Sequence, residues 1–241
     1  MHDNWALIVP LANEEKDLDP FFKVLIPVLD RIGSGKVYFI IDRISTDRTL
    51  EIVQQLAGRD DRFAAIWAPE NRNVVDAYLR GYREAFDRGH DRIIEMDAGL
   101  SHDPRAIPLF LQALQNGHEC AFGSRFVNGG SMEGNAYRRM LSKGGTMLSN
   151  LLLGTRLHDM TSGFQGFQRP IVARLLSYRF RSEGHFFQTE LRYLLRRSRF
   201  VEIPIHYSAP SPRVSAVSIA NSIRVLFHYF IRRLTMALDV V

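Results

Sequence analysis

Five short apolar runs alternate with helix-length segments through the first half of the chain, and this alternation most constrains the fold. The runs are rich in β-branched and aromatic residues, and they read WALIVP, KVYFIID, FAAIWAP, DRIIEMDA and ECAFGSR. Strands that are separated by helices form βαβ units, in which the strands run parallel. We therefore expect an α/β, Rossmann-like fold with a mostly parallel sheet flanked by helices.

The chain has 241 residues, 46% of them hydrophobic, which is enough for one substantial core. We expect one domain over residues 1–212 and an amphipathic helical segment over residues 213–241. One face of this last helix carries the apolar side chains Ile219, Ile223, Leu226, Phe227, Phe230 and Leu234. Such a helix packs on its own domain or lies in a membrane surface, and the sequence leaves both alternatives open.

The helical pattern between the first two strands is interrupted by Pro20 and Pro27. Proline removes a backbone hydrogen bond and clashes with the preceding turn of a helix. We therefore expect a kink, or two short helices in place of one long helix.

Composition and patterning exclude several classes of protein. The N-terminus lacks the basic and apolar regions of a secretion signal, and no run reaches the ~18 apolar residues of a transmembrane helix. Cys120 is the only cysteine, which excludes an internal disulfide and a multi-cysteine zinc site and favours the cytoplasm. The net charge of +5 suits phosphorylated partners, but no zinc-finger or RNA-binding motif accompanies it, so we expect no nucleic acid partner.

Residues that directly follow the predicted strands are the candidates for chemistry, because ligands bind at the carboxyl ends of parallel strands. Walker A is absent, and the only G-x-G, Gly33 to Gly35, precedes a strand instead of following one. The two familiar phosphate-binding motifs therefore do not explain a nucleotide site here.

Six motifs in a fixed order resemble those of glycosyltransferase family 2, and they extend from about residue 6 to residue 206. They read VPLANEE, IIDRISTDRT, MDAGLSHDP, GSRFVNGG, DMTSGFQGF and SEGHFFQTEL. Within the family, the resemblance is strongest to the dolichol-phosphate and bacterial polyprenyl-phosphate glycosyltransferases. It implies a GT-A fold and inverting transfer of a sugar from a UDP- or GDP-sugar to a lipid phosphate. It also implies a peripheral position at the inner, cytoplasmic face of the membrane.

The resemblance assigns the nucleoside pocket to the ends of the first two strands. Pro10, Asn13 and Glu14 stand where the family lines this pocket, and Glu14 is the candidate for the ribose hydroxyls. Asp42 stands where the family contacts the base. A simpler interpretation, in which Asn13 and Glu14 only begin a helix, also remains open.

The metal motif departs from the family pattern, because Asp97-Ala98-Gly99 replaces D-x-D. The family uses two carboxylates to hold Mg²⁺ or Mn²⁺ against the donor diphosphate. We expect a weakly bound cation, held by Asp97 with Ser101, water and the diphosphate, and the sequence leaves open whether the reaction requires it. The alternatives are that Asp103 moves in, although Asp103 before Pro104 is typical of a helix cap, or that arginines replace the cation.

The acceptor side keeps more of the family pattern. Arg125, Arg138 and Ser142 match positions around the acceptor phosphate, and Arg138 and Ser142 share one helical face at a spacing of four. A solvated basic helix end is the simpler interpretation. Arg213 is the only basic residue in the loop that the family closes over the diphosphate.

Two further residues complete the expected catalytic set. Asp159 is the candidate base for a hydroxyl acceptor, and it could equally orient an arginine or bind the donor sugar. Gln188, in the F-Q-x-E motif, is expected to face the crevice, with Glu190 as a supporting carboxylate, although a role in the core is nearly as well supported. Because several positions depart from the family pattern, two alternatives stay open: transfer to a glycan or glycolipid hydroxyl, and nucleotide-sugar binding without catalysis. The departures are Gly99, Arg43, Arg48 and Ala216.

Overall fold

The computed structural model describes residues 4–33, 35–134, 136–208 and 216–235. The strands in chain order are β1 (Trp5–Leu11), β2 (Gly35–Asp42), β3 (Phe63–Ala68), β4 (Arg92–Glu95), β5 (Cys120–Ser124), β6 (Ser131–Met132), β7 (Gln165–Gln168), β8 (Phe200–Pro204) and β9 (His206–Tyr207). The helices are α1 (Glu15–Ile32), α2 (Thr49–Ala57), α3 (Val74–Asp87), α4 (Ile107–Gln115), α5 (Ala136–Leu153), α6 (Arg169–Ser177), α7 (Phe187–Leu194) and α8 (Ala216–Leu234). A single 3₁₀ turn, Pro104–Ala106, precedes α4.

Seven strands form one sheet in the order β3-β2-β1-β4-β7-β5-β8. The pairs β1–β2, β2–β3, β1–β4 and β5–β8 are parallel, and only β7 runs antiparallel to its neighbours β4 and β5. The predicted mostly parallel sheet is therefore confirmed. Strand β1 lies between β2 and β4, so the strand order reverses there, and in open α/β sheets the ligand crevice lies at the carboxyl ends of the strands at such a point.

Each face of the sheet packs against helices and buries its own apolar cluster. Alternate residues of β1 serve the two clusters, with Ala6 and Ile8 on one face and Leu7 and Val9 on the other. Side chains of successive strand residues point to opposite faces, which accounts for the uninterrupted apolar runs in the sequence.

Of the two expected outcomes, two short helices is wrong, because α1 is one continuous helix that contains both Pro20 and Pro27. Its buried side chains recur every three or four residues along one face, and they are Leu18, Phe21, Leu25, Val28 and Leu29. Packing of this face against the sheet offsets the two backbone hydrogen bonds that the prolines remove.

Helices α5 and α8 pack against each other at one edge of the molecule. Helix α8 buries Val225, Leu226 and Tyr229, and the hydroxyl of Tyr229 donates to the fully buried Glu190, with 2.6 Å between the oxygens. The C-terminal helix is therefore docked on its own domain through one face. Within the described part of the chain, no helix combines the length and apolar character needed to cross a bilayer.

Candidate active site

The loops after β1 and β2 are tied together by Asn13. Its side-chain oxygen accepts from the backbone N–H of Thr46, and its side-chain nitrogen donates to the carbonyl of Ile44. Asn13 has φ +58°, a left-handed conformation that asparagine adopts more readily than most residues. The amide of Asn13 is thus engaged in shaping the pocket wall that the sequence assigned to the nucleoside.

Asp42 and Pro10 lie near the ends of the two strands, β2 and β1, that these loops follow. Asp42 ends β2, is almost fully buried, and accepts from the backbone N–H of Ile44. Pro10 is half-buried near the end of β1, where it pairs with Ile40. The structure therefore brings Pro10, Asn13 and Asp42 to the same end of the sheet as Asp97, which follows β4.

Glu14 turns its carboxylate towards the loop that follows β4. Burial, and then the negative charges of Asp17 and Asp97, raise the pKa of Glu14. Its Oε2 lies 3.6 Å from the position that a Cβ on Gly99 would take. Its side chain makes no capping bond to the first turn of α1. The carboxylate is therefore left available to the crevice.

The carboxylate of Asp97 is held in a defined orientation and remains accessible. The hydroxyl of Tyr78 donates to its Oδ1 at 2.5 Å, and about half of the side chain is exposed. His102 accepts from the backbone N–H of Asp97 through Nδ1. Burial lowers the pKa of His102, so its ring is neutral and forms no ion pair with Asp97.

The backbone conformation explains why position 99 is a glycine, and the absence of a carboxylate there affects metal binding. Its φ is +73°, and Leu100 follows with φ +57°, so the chain after Asp97 turns through two left-handed residues. A side chain at position 99 would be strained, and a carboxylate there would stand beside that of Glu14. The missing second aspartate of the metal motif is thus matched by a backbone that favours glycine.

The residues present fit a divalent cation that the donor helps to hold. Asp97 and Glu14 supply two oxygen-bearing side chains on one crevice. Among the described residues, however, no three Asp, Glu, His or Cys side chains cluster as a complete metal cage. Mg²⁺ is commonly bound through one or two carboxylates together with substrate phosphates. Ser101 donates its hydroxyl to the carbonyl of Ala98, which leaves its oxygen lone pairs available.

Asp103 acts as the helix cap that its sequence position predicts. Its Oδ1 accepts from the backbone N–H of Arg105 at 2.9 Å, and its carboxylate also binds the side chain of Arg105. The alternative in which Asp103 moves towards a cation would break these bonds.

Gln188 lies close to Asp97 across Gly163. A Cβ built on Gly163 would lie 3.2 Å from Oδ2 of Asp97 and 3.4 Å from Nε2 of Gln188, so a side chain here would crowd the Asp97 carboxylate. Gln165 donates to Gln188 and also to the fully buried Glu95, at 2.8 Å. Burial raises the pKa of Glu95 to about 8. A buried polar network therefore lies directly beneath the candidate site.

Arg125 and Asp159 form a buried ion pair. Nε and one terminal nitrogen of Arg125 donate to the two carboxylate oxygens at 2.7 and 2.9 Å. Burial alone would raise the pKa of Asp159, but bonding to Arg125 and the charge of Arg192 outweigh it and lower the pKa to about 2. A fully buried carboxylate with this pKa is a poor base, so the geometry favours the alternative in which Asp159 orients an arginine.

Two cavities on α5 share the cations Arg139 and Lys143. One, of about 260 Å³, has a polar wall that includes Arg125 and Ser131. The other, of about 400 Å³, is mainly apolar and is lined by Ala136, Met140, Gly144 and Met147. Ser142 is half-buried on the same helix. The side chain of Arg138 lies outside the described residues, as does Arg213.

Ser208, the last described residue before Arg213 in the sequence, is fixed against the Asp97 loop. Ser208 donates its backbone N–H to the carbonyl of Ser101, and its hydroxyl donates to the carbonyl of Leu100 at 2.5 Å. His102 also forms an isolated antiparallel bridge with Tyr207. Ser208 therefore lies directly beside the loop that carries Asp97 and Gly99.

Sequence reasoning missed the residues that support this site, above all Arg192. Its guanidinium is fully buried and donates to the carbonyls of Asp159, Gly123 and Ser162 and to Gln165. Its position in RYLLRRS is typical of an exposed basic face, so the sequence carried no signal for it. The sequence did carry a signal for Glu95, because Glu95 is a charged residue inside an apolar strand. It stands two residues before Asp97 and therefore on the same face.

Comparisons with known proteins support a glycosyltransferase. The sequence profile of Glycosyl transferase family 2 matches residues 6–176. Polyprenol monophosphomannose synthase from Mycolicibacterium smegmatis is 29% identical over 225 residues, which cover 92% of this chain and 83% of that protein. Dolichol-phosphate mannosyltransferase from Pyrococcus furiosus is 32% identical over 170 residues, 69% of this chain and 47% of that protein. Undecaprenyl-phosphate mannosyltransferase from Micrococcus luteus is 29% identical over 203 residues, which cover 83% of this chain and 82% of that protein.

Crystal structures of glucosyl-3-phosphoglycerate synthase from Mycobacterium tuberculosis share the fold. The complex with Mn²⁺, UDP and phosphoglyceric acid has a TM-score of 0.66 at 17% identity and covers 95% of this chain and 78% of that chain. The complex with Mn²⁺ and UDP-glucose has a TM-score of 0.68 at 17% identity and covers 94% of this chain and 79% of that chain. Together with the family match, this confirms the predicted GT-A architecture: the chain belongs to glycosyltransferase family 2 and is a GT-A glycosyltransferase.

Proposed function

We propose that this glycosyltransferase moves a sugar from a nucleoside-diphosphate donor to a polyprenyl phosphate, with inversion at the anomeric carbon. All three of the relatives described above are named for polyprenyl-type phosphates and for mannose. Mannose is therefore the first sugar to test, on either GDP or UDP. The proposed place of action is the cytoplasmic face of the membrane, where such lipids present their phosphate.

One observation carries the choice of acceptor: the polar and the apolar cavity on α5 meet at Arg139 and Lys143. A polyprenyl phosphate has the same division, with an anionic head joined to an apolar chain. Lys143 stands over the ring of Phe126, which positions the ammonium at the junction of the two cavities. We assign the phosphate to the cation-lined cavity and the first isoprene units to the groove beside Met140 and Met147.

The proposed reaction needs no general base. An oxygen of the acceptor phosphate, already anionic near neutral pH, attacks the anomeric carbon, and the bond from that carbon to the donor diphosphate breaks. The nucleoside diphosphate leaves with the electron pair, and no proton is transferred. This chemistry agrees with Asp159, whose burial and pKa of about 2 suit it to hold Arg125 and not to deprotonate a sugar hydroxyl.

On the donor side, Pro10, Asn13, Glu14 and Asp42 are the proposed walls of the nucleoside pocket. Asp97, with Ser101 and Glu14 beside it, would hold Mg²⁺ or Mn²⁺. A cation there would neutralise charge on the departing diphosphate. Gln188 lies within reach of the same space and is proposed to contact the donor sugar, while Arg213 is proposed to close on the diphosphate.

The test is a transfer assay with GDP- and UDP-linked sugars, with and without a short-chain polyprenyl phosphate, in Mg²⁺, Mn²⁺ or EDTA. We expect sugar-phospholipid product only when the acceptor is present. Donor hydrolysis without product in every combination would overturn the proposal. Loss of product in EDTA would support the cation at Asp97, whereas full activity in EDTA would overturn that assignment and leave the charge to arginines.

Variants of two aspartates in one loop, Asp97 and Asp103, serve in this assay as test and control. Asp97→Asn removes the exposed carboxylate, and we expect the transfer rate to fall by about 100-fold or more, as for loss of a metal ligand or transition-state contact. Asp103→Asn keeps a side-chain oxygen for the helix cap, and we expect near-normal activity. Equal loss in both variants would contradict the role given to Asp97.

A further inference from the structure

Helices α5 and α8 expose a large apolar surface. They carry eleven of the fourteen large apolar side chains that the described residues expose. On α5 these are Tyr137, Met140, Leu141, Met147, Leu148 and Leu151, and on α8 they are Ile219, Ile223, Phe227, Ile231 and Leu234. We call this set the α5–α8 face. Isolated exposed apolar residues are normal, but a concentration on two neighbouring helices marks an interaction surface.

The exposed stripe of α8 belongs to a helix that is fixed in place. Val225, Leu226 and Tyr229 face the domain, while Ile223 and Phe227 are each more than half exposed on the opposite side. At the C-terminal ends of the two helices, Arg233 donates to the carbonyls of residues 151 and 152 on α5. The apolar stripe is therefore not the unburied remainder of a helix that has failed to dock.

The charges on these two helices identify the kind of partner. The segments of α5 and α8 contain six Lys or Arg residues and no Asp or Glu, although the whole chain has 31 basic and 26 acidic residues. An apolar stripe accompanied only by cations complements an anionic lipid surface. A second copy of the chain would instead bring cations against cations.

We propose that the α5–α8 face docks on the surface of an anionic bilayer, with both helices lying in the interface and neither crossing it. This extends the role foreseen for the C-terminal helix alone, because α5 supplies half of the surface. The proposal stands on exposure and charge and does not require the proposed acceptor. It places Arg139 and Lys143, which line the two cavities on α5, at the depth of lipid phosphates.

The test is flotation of the full chain with vesicles that contain no polyprenyl phosphate and no nucleotide sugar. Phosphatidylcholine vesicles with and without phosphatidylglycerol are compared, at low and high salt. We expect binding to the anionic vesicles, weaker binding to the neutral ones, and a decrease with salt. Failure to bind either kind of vesicle would overturn the proposal.

Exposed-residue variants locate the surface. Ile223→Ser combined with Phe227→Ser should weaken vesicle binding at least about tenfold, and Arg224→Gln should reduce the preference for anionic vesicles. Leu109→Ser and Arg59→Gln, exposed elsewhere, serve as matched controls and should bind as the unmodified chain does. Unchanged binding of the double variant would contradict the proposal. Vesicle-independent dimers that the double variant abolishes would assign the face to a second copy and likewise overturn it.

The result of the vesicle-binding test can be separated from the result of the transfer assay that tests the proposed function. Transfer to a short-chain, water-soluble polyprenyl phosphate is measured in the same preparations without vesicles. A double variant that no longer floats but still transfers supports docking as a separate property of the face. An unmodified chain that floats but transfers to no phosphate acceptor leaves the docking surface standing and overturns the acceptor instead.

Discussion

Asp97 is the central residue of the candidate site, and neighbours hold both its carboxylate and its backbone. Tyr78 donates to one carboxylate oxygen, His102 accepts from the backbone N–H of Asp97, and Gly163 lies beside both the other oxygen and Gln188. The chain then leaves Asp97 through the left-handed residues Gly99 and Leu100. A single exposed carboxylate with Glu14 nearby is therefore the local solution in this chain, where the family pattern has two aspartates.

Gly99→Asp should raise the affinity for Mn²⁺ while lowering stability. The new carboxylate would add a hard ligand next to Asp97, but it must adopt a left-handed backbone at a cost of about 1 kcal/mol and stand beside Glu14. Titration calorimetry with Mn²⁺ and urea unfolding without metal measure the two effects. Gly99→Asn, which has the same shape without the charge, should lose similar stability and gain little affinity. Equal Mn²⁺ affinity in both variants would contradict this prediction.

Asp159→Asn should destabilise the protein in a pH-dependent way. The pKa of Asp159 is lowered in the folded state from 3.8 to about 2, so the carboxylate stabilises the fold above about pH 4. This contribution, about 2 kcal/mol from the size of the shift, is lost as the pH falls through the folded-state pKa. The difference in unfolding free energy between the two proteins should therefore be large near neutral pH and should narrow in acid. The exposed Asp61→Asn serves as a control, and a difference that stays constant with pH would contradict the prediction.

The sequence reveals most at the level of elements, because the apolar runs that predict β1 to β5 coincide closely with the observed strands. Strand β7 was missed, since QGFQ has no β-branched residue and becomes a strand only through pairing with β4 and β5. The alternative of two short helices in place of α1 fails because packing overrides the local effect of proline. The positions of the site residues followed from strand ends, whereas the burial of Arg125 and Asp159 depended on tertiary contacts that no local pattern encodes.

Tyr229→Phe should loosen α8 without unfolding the domain. The variant keeps the ring but removes the hydroxyl that donates to Glu190, so we expect a loss of about 1 kcal/mol in the free energy of unfolding. Backbone hydrogen exchange should become faster across α8 than across the central strands. Tyr137→Phe, on the exposed face of α5, should change neither quantity. Unaltered exchange in α8 would show that Tyr229 does not fasten this helix.

On the scale of the whole molecule, three regions carry the account: the proposed donor pocket, the cation-lined cavity and the α5–α8 face. The proposed donor pocket lies at the strand ends of β1, β2 and β4, and the cavity lies beyond the end of β5, with Arg125 and residues of α5 in its wall. Within this arrangement, a lipid phosphate held at Arg139 and Lys143 would keep its chain on the apolar side of α5. The proposed acceptor and the proposed docking surface thus require the same orientation of the molecule.

The most direct measurement compares a short-chain polyprenyl phosphate with the corresponding polyprenol as acceptors, using the unmodified chain and Lys143→Gln. We predict transfer to the phosphate alone, and a KM for that acceptor that rises about tenfold or more in Lys143→Gln while the KM for the donor stays unchanged. Arg156→Gln, an exposed cation outside the cavity, should leave both values unchanged. Transfer to the polyprenol at a similar rate, or a Lys143→Gln variant with an unaltered acceptor KM, would contradict the assignment of the acceptor phosphate to this cavity.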